Sequence, residues 1–175
     1  MKIWIEAESP TFGTCAGMIL LAKELIGKKV PDQISLRAMD TVVHRNFFGS
    51  QLGSFVSEVT LKGFITDDFP KQVTSRGVFI RAPVVAKTSS DLVEVLGTIS
   101  KESIVKKGDK AWFSEEGEDF DEVIVAVKQN NFLATSFHPE LTQETIWHES
   151  FVNLVRSHNS KQQPSKQKSK KPMGS

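Results

Sequence analysis

Cysteine is almost missing from this chain: of its 175 residues a single one, Cys15, carries a thiol. That excludes an internal disulfide framework. Histidine is scarce as well, and four scattered copies do not make a Cys/His zinc pattern, so no metal site is expected. The formal net charge is only +1, which removes the usual basis for general nucleic-acid affinity. No apolar run reaches the roughly 18 residues that would span a bilayer. The opening Met1-Lys2-Ile3-Trp4-Ile5-Glu6 has neither the long apolar centre nor the small-residue cleavage site of a secretory signal. These absences lead to the expectation of a soluble, cytoplasmic protein with no nucleic-acid or membrane partner, formed of one domain and a tail.

What is present centres on Phe12-Gly13-Thr14-Cys15-Ala16-Gly17. A lone cysteine in an intracellular chain is more often a small buried apolar residue than a nucleophile. Here, however, Gly13, Ala16 and Gly17 surround it with little bulk, as a sharp strand-to-helix elbow requires. Met18, Leu21, Ala22 and Leu25 follow at helical spacing, so a helix is predicted from about Ala16 to Ile26, stopped by Gly27. Cys15 would then stand at a helix N-terminus, where unpaired amides favour thiolate over thiol. The Ala16 amide would point where an oxyanion forms on an attacked carbonyl.

Other stretches read as parts of an α/β fold. Residues 1–8 resemble the last turns of a helix, and Pro10-Thr11-Phe12 a short strand feeding the elbow, the kind of unit that belongs to open parallel sheets. Strands are predicted at 41–44, 54–61, 77–80 and 91–96, and a variable loop at 101–121. In His44-Arg45-Asn46-Phe47-Phe48-Gly49-Ser50-Gln51, Arg45 offers a fork for a carboxylate, although an ordinary loop anchored by a phenylalanine fits equally well. Arg81 sits at a strand tip before Pro83, either as a solvated charge or as a second positioning contact. Residues 123–127 and 132–137 flank Asn130-Asn131 as a hairpin that delivers His138. Pro139 disfavours helix at His138, so His138 and Glu140 are expected in extended backbone, pointing to one side toward Cys15. Thr142 is the expected N-cap of a final helix with Trp147, Phe151, Leu154 and Val155 on one face. From Ser157 onward the Ser/Lys/Gln/Pro-rich composition predicts a disordered basic tail.

With those residues in view, the sequence resembles the glutaminase subunit family of pyridoxal 5'-phosphate synthase, a class I glutamine amidotransferase, from about Pro10 to Arg156. The likeness rests on Gly13-Thr14-Cys15-Ala16-Gly17 and on Thr135-Ser136-Phe137-His138-Pro139-Glu140-Leu141-Thr142. The narrower assignment comes from residues 44–51 and Gly77-Val78-Phe79-Ile80-Arg81-Ala82-Pro83. The resemblance implies an α/β fold, a three-layer open sheet of flavodoxin-like type, with the amidotransferase domain over 1–156 and the tail over 157–175. It implies Cys15 as nucleophile, His138 as general base and acid, Glu140 as orienter of His138, and Arg45, Ile80 and Arg81 lining a glutamine site. The implied reaction turns L-glutamine into glutamate and ammonia without a metal or organic cofactor, and passes the ammonia to a synthase (lyase) partner subunit. One departure is plain: no Gly-Gly dipeptide occurs, whereas the family carries a Pro-Gly-Gly-Glu-Ser-type loop that supplies a second oxyanion amide. The chain is therefore expected to lack the family's N-terminal strand-helix units. A catalytically impaired form that only binds the synthase, and a glutaminase of another pathway, stay open as alternatives.

Overall fold

The computed structural model describes residues 2–27, 33–45, 47–48, 54–63, 69–105 and 121–162. In chain order these form α1 (Lys2–Glu6), β1 (Thr11–Thr14), α2 (Ala16–Leu21), β2 (Ala22–Ile26), β3 (Met39–His44), β4 (Ser54–Leu61) and β5 (Thr74–Ile80). They continue with β6 (Val84–Thr88), β7 (Glu94–Ser100), α3 (Lys101–Val105), β8 (Glu122–Gln129), β9 (Phe132–Thr135), a 3-10 turn (Pro139–Leu141) and α4 (Ile146–Gln162).

The strands join one open sheet in the order β2-β3-β6-β8-β7-β4-β5, with β9 pairing both β8 and β1. Parallel pairing is confined, among the described strands, to β1 with β9 and β2 with β3. Where neighbours are joined by short turns, as β8 and β9 are through Asn130 at φ 51°, only antiparallel pairing is possible. β4 alternates strictly, burying Phe55, Ser57, Val59 and Leu61. β9 is buried at every residue because both of its faces are covered.

Two apolar clusters cover the two faces. On one, Met18 and Leu21 of α2 pack with Met39, Val43, Val85, Val127, Phe132 and Ala134. On the other, Ile146 and Trp147 of α4 pack with Val59, Phe79, Leu96, Leu133 and Phe137. The result is the expected three-layer α/β arrangement.

Several local expectations need correction. The helix after Cys15 ends at Leu21, and Ala22, with φ −60° and ψ 148°, turns the chain directly into β2. Ala22 and Leu25 suit either element by spacing, and pairing along β3 decides between them. β7 begins at Glu94 rather than 91, because the amides of Leu92 and Val93 close a turn on Ser90. Thr142 does not cap the final helix; its hydroxyl donates to the Pro139 carbonyl at 3.0 Å, and the helix starts at Ile146. That helix runs to Gln162, so residues 157–162 are helical. The tail expected beyond it, most of the 101–121 loop and much of 44–51 lie outside the described residues.

Candidate functional site

β1 ends in a backbone that few residues adopt: Cys15 has φ 48° and ψ −103°. Such a conformation costs about 1–3 kcal/mol in a non-glycine residue and persists only where neighbours enforce it. Three contacts do so. The Cys15 amide donates to the Thr135 carbonyl at 2.8 Å, the Cys15 carbonyl accepts from the Met18 amide at 3.0 Å, and Gly13 lies against Gly17 with no room for a side chain. A Cβ built on Gly13 would meet the Gly17 carbonyl carbon at 2.7 Å.

β1 and β9 run parallel, with Thr14 opposite Thr135, so the residues that follow each strand leave the sheet at the same end. After β1 comes Cys15; after β9 comes His138. The His138 amide donates to the Val78 carbonyl at 2.9 Å, which brings β5 to the same point. β5 then ends in Ile80, whose carbonyl accepts from Cys15 Sγ at 3.7 Å, and in Arg81, itself at φ 45°. His138 Nδ1 donates to Glu140 Oε1 at 2.7 Å. The pairing arises differently from the expectation: His138 is extended, but Pro139–Leu141 forms a 3-10 turn, and Glu140 within that turn meets the ring at Nδ1. Arg45 follows the His44–Val84 pair of β3 and β6, at the end of the sheet where Arg81 leads into β6. Its amide donates to the Ile26 carbonyl at 3.1 Å.

The electrostatics reverse one expectation. Burial pushes the Cys15 thiol above its ordinary range; the Ala16 amide pulls it down, the Glu140 charge pushes it up, and Arg81 pulls it down. Desolvation outweighs the helix start, because α2 is short and the sulfur is half-buried. At neutral pH the resting sulfur is therefore a thiol turned to the Ile80 carbonyl, not a thiolate. Glu140 is pushed up by its own burial, yet the bond from His138, its own amide and the charges of His138 and His148 hold it below the usual carboxylate range. The imidazole thus rests on an ionised carboxylate.

Two residues of this neighbourhood were given no role from the sequence, although Thr135 opens the motif that contains His138. His148 on α4 acts on Glu140 through space, and its ring meets Phe12 edge-on at 6.4 Å. Thr135 joins the cysteine to the histidine strand through its carbonyl. Neither has a local signal, since both roles depend on pairing between distant segments. Among the described residues no group of three or more His, Cys, Asp and Glu side chains gathers to hold a metal ion.

The SNO glutamine amidotransferase family matches residues 2–157. This chain belongs to that family. Beside other proteins it is 39% identical over 159 residues to the "Probable pyridoxal 5'-phosphate synthase subunit PDX2" of Arabidopsis thaliana, covering 89% of this chain and 62% of that one. It is 42% identical over 156 residues to the pyridoxal 5'-phosphate synthase subunit PdxT of Bacillus anthracis, covering 89% of this chain and 63% of that protein. A crystal structure of a glutamine amidotransferase superposes with a TM-score of 0.63 at 33% identity, over 89% of this chain and 66% of the other. The chain thus spans somewhat under two thirds of the length of these curated relatives. The SNO family match takes in β1 through most of α4, and with them Cys15, Arg45, Ile80, Arg81, His138 and Glu140.

Proposed function

We propose that this chain carries the glutaminase site of a pyridoxal 5'-phosphate synthase, hydrolysing L-glutamine to glutamate and ammonia with Cys15, His138 and Glu140. The observation that carries this reading is the 2.8 Å bond from the Cys15 amide to Thr135. It ties a strained cysteine elbow to the strand that leads, through Ser136 and Phe137, to His138 and its carboxylate partner Glu140. Membership of the SNO glutamine amidotransferase family supplies the substrate class.

In this mechanism the Cys15 thiol turns from Ile80 toward His138 and passes its proton to the imidazole as the sulfur attacks the side-chain amide carbon. The Ala16 amide donates to the oxyanion. His138 returns the proton to the departing nitrogen and ammonia leaves, giving a thioester. Water, deprotonated by His138, cleaves the thioester to glutamate and regenerates the thiol. Glu140 holds the ring and balances the imidazolium. Arg45, Ile80 and Arg81 line the glutamine subsite, where a guanidinium fork suits the substrate's α-carboxylate. Sulfur, imidazole and water balance every step, so no metal or organic cofactor is required. The ammonia passes to the synthase (lyase) subunit, and a free nucleophilic thiol suits the reducing cytoplasm.

The test is ammonia release from L-glutamine by the purified chain with its synthase partner. The expected result is a loss of at least about 10³-fold in Cys15→Ala. No release, or release that survives Cys15→Ala, overturns the reading.

A further inference from the structure

Thr135 is completely buried at the end of β9. Its carbonyl accepts from the Cys15 amide at 2.8 Å, and its hydroxyl donates to the Phe137 carbonyl at 3.1 Å. That carbonyl belongs to the peptide unit between Phe137 and His138, whose other polar end, the His138 amide, donates to the Val78 carbonyl at 2.9 Å. The peptide plane entering His138 is therefore held at both ends, by the Thr135 hydroxyl and by β5. The same residue holds the amide of the elbow.

We propose that Thr135 is a positioning residue, whose side chain fixes the peptide that aims the His138 ring while its backbone anchors Cys15, so that sulfur and imidazole share one reference point. The proposal rests on the reading of Cys15 and His138 as nucleophile and base. Packing alone does not account for the hydroxyl. Valine has nearly the same shape, and in this buried site it would leave the Phe137 carbonyl without this donor and its peptide plane held only at the other end, by the His138 amide on Val78. The neighbouring bonds, from Ser136 amide to Val125 carbonyl at 2.8 Å and from Ser136 Oγ to Met18 Sδ at 3.5 Å, hold the next residue but not that plane. A displacement of about 1 Å at a reacting group costs on the order of 10²-fold in rate.

The experiment compares the full chain, with its synthase partner, as wild type, Thr135→Val and Thr135→Ser. Two readouts are taken: kcat against KM for ammonia release, and the imidazole resonances of the four histidines by long-range proton–nitrogen NMR. In Thr135→Val, kcat is expected to fall about 10- to 100-fold with KM within about 3-fold, and the His138 resonances to move while the other histidines hold still. Thr135→Ser, which keeps the hydroxyl, is expected to retain both wild-type properties. Unchanged His138 resonances in folded Thr135→Val overturn the proposal. So does a Thr135→Ser variant that loses them, because the methyl would then be the part that matters. A wild-type chain that releases no ammonia overturns the glutaminase reading, while the resonances still decide the role of Thr135.

Discussion

Gly13 and Gly17 flank Cys15 at equal spacing, yet they do unlike work. A side chain on Gly13 would strike the Gly17 backbone at 2.7 Å and the Leu21 methyl at 2.8 Å, whereas one on Gly17 would meet nothing within 4 Å. Gly13→Ala is therefore expected to destabilise the protein by about 1–3 kcal/mol, since backbone cannot give way as a flexible side chain can. Gly17→Ala, in the first turn of α2, is expected to be neutral or to stabilise by up to about 1 kcal/mol. Urea unfolding of both variants checks this, and equal losses would refute it. The pentapeptide itself displays two equivalent glycines. Only the approach of α2 to β1 separates them. The same holds for the thiol: its place before a helix was readable, but the burial that raises its pKa and the Ile80 carbonyl beside the sulfur come from tertiary packing, and no spacing along the chain reports that.

At the scale of elements, α4 shows how an amphipathic pattern becomes a docked helix. Ile146, Trp147, Ser150 and Leu154 are buried, at the spacing of one helical face. Trp147 does more than fill volume, because its indole nitrogen donates to Ser75 Oγ at 2.8 Å and its ring packs edge-on against Phe137 at 5.2 Å. Trp147→Phe removes that donor and part of the ring, with an expected cost of about 2–4 kcal/mol. Thermal or urea denaturation measures it, and a loss under about 1 kcal/mol would show that the site closes around the smaller ring. Existence and direction of the long elements β4, β8 and α4 were legible because their patterns are unambiguous, and the four-residue β9 was legible through the turn at Asn130 that pairs it with β8. β2 was not, since Ala22 and Leu25 fit helix and strand alike and the choice depends on a partner strand. The His138–Glu140 contact was foreseen, but through extended backbone; Pro139 opens a 3-10 turn that Thr142 closes, a local choice of hydrogen bonds that strand alternation does not report.

Over the whole molecule, two polar networks stitch strands that are far apart in sequence. Lys23 on β2 donates to Asp40 on β3 at 2.7 Å, and Gln129 on β8 donates to the same carboxylate at 2.9 Å. Across the sheet, Lys62 after β4 meets Glu122 of β8 at 2.5 Å, and Thr98 of β7 donates to that carboxylate at 2.9 Å. The hydrogen bond from Lys23, then that from Gln129, hold Asp40 below the ordinary carboxylate range; those from Lys62 and Thr98 do the same for Glu122. Unfolding releases these bonds and returns each carboxyl to its ordinary value. In the acid window between the depressed folded values and the ordinary range near about pH 4, the unfolded chain therefore binds more protons. Stability from these networks is complete above that window and is lost as pH falls through it. The side chains are partly exposed, so each contribution is modest and weakened by salt. Asp40→Asn is expected to be less stable than wild type at neutral pH, with the difference shrinking as pH falls through the window, since protonation removes from wild type what the substitution has already removed. Urea midpoints for the two proteins across the acid range test this. A difference that stays constant with pH would mean that the geometry of Asp40 holds β2, β3 and β8 together, and its charge does not.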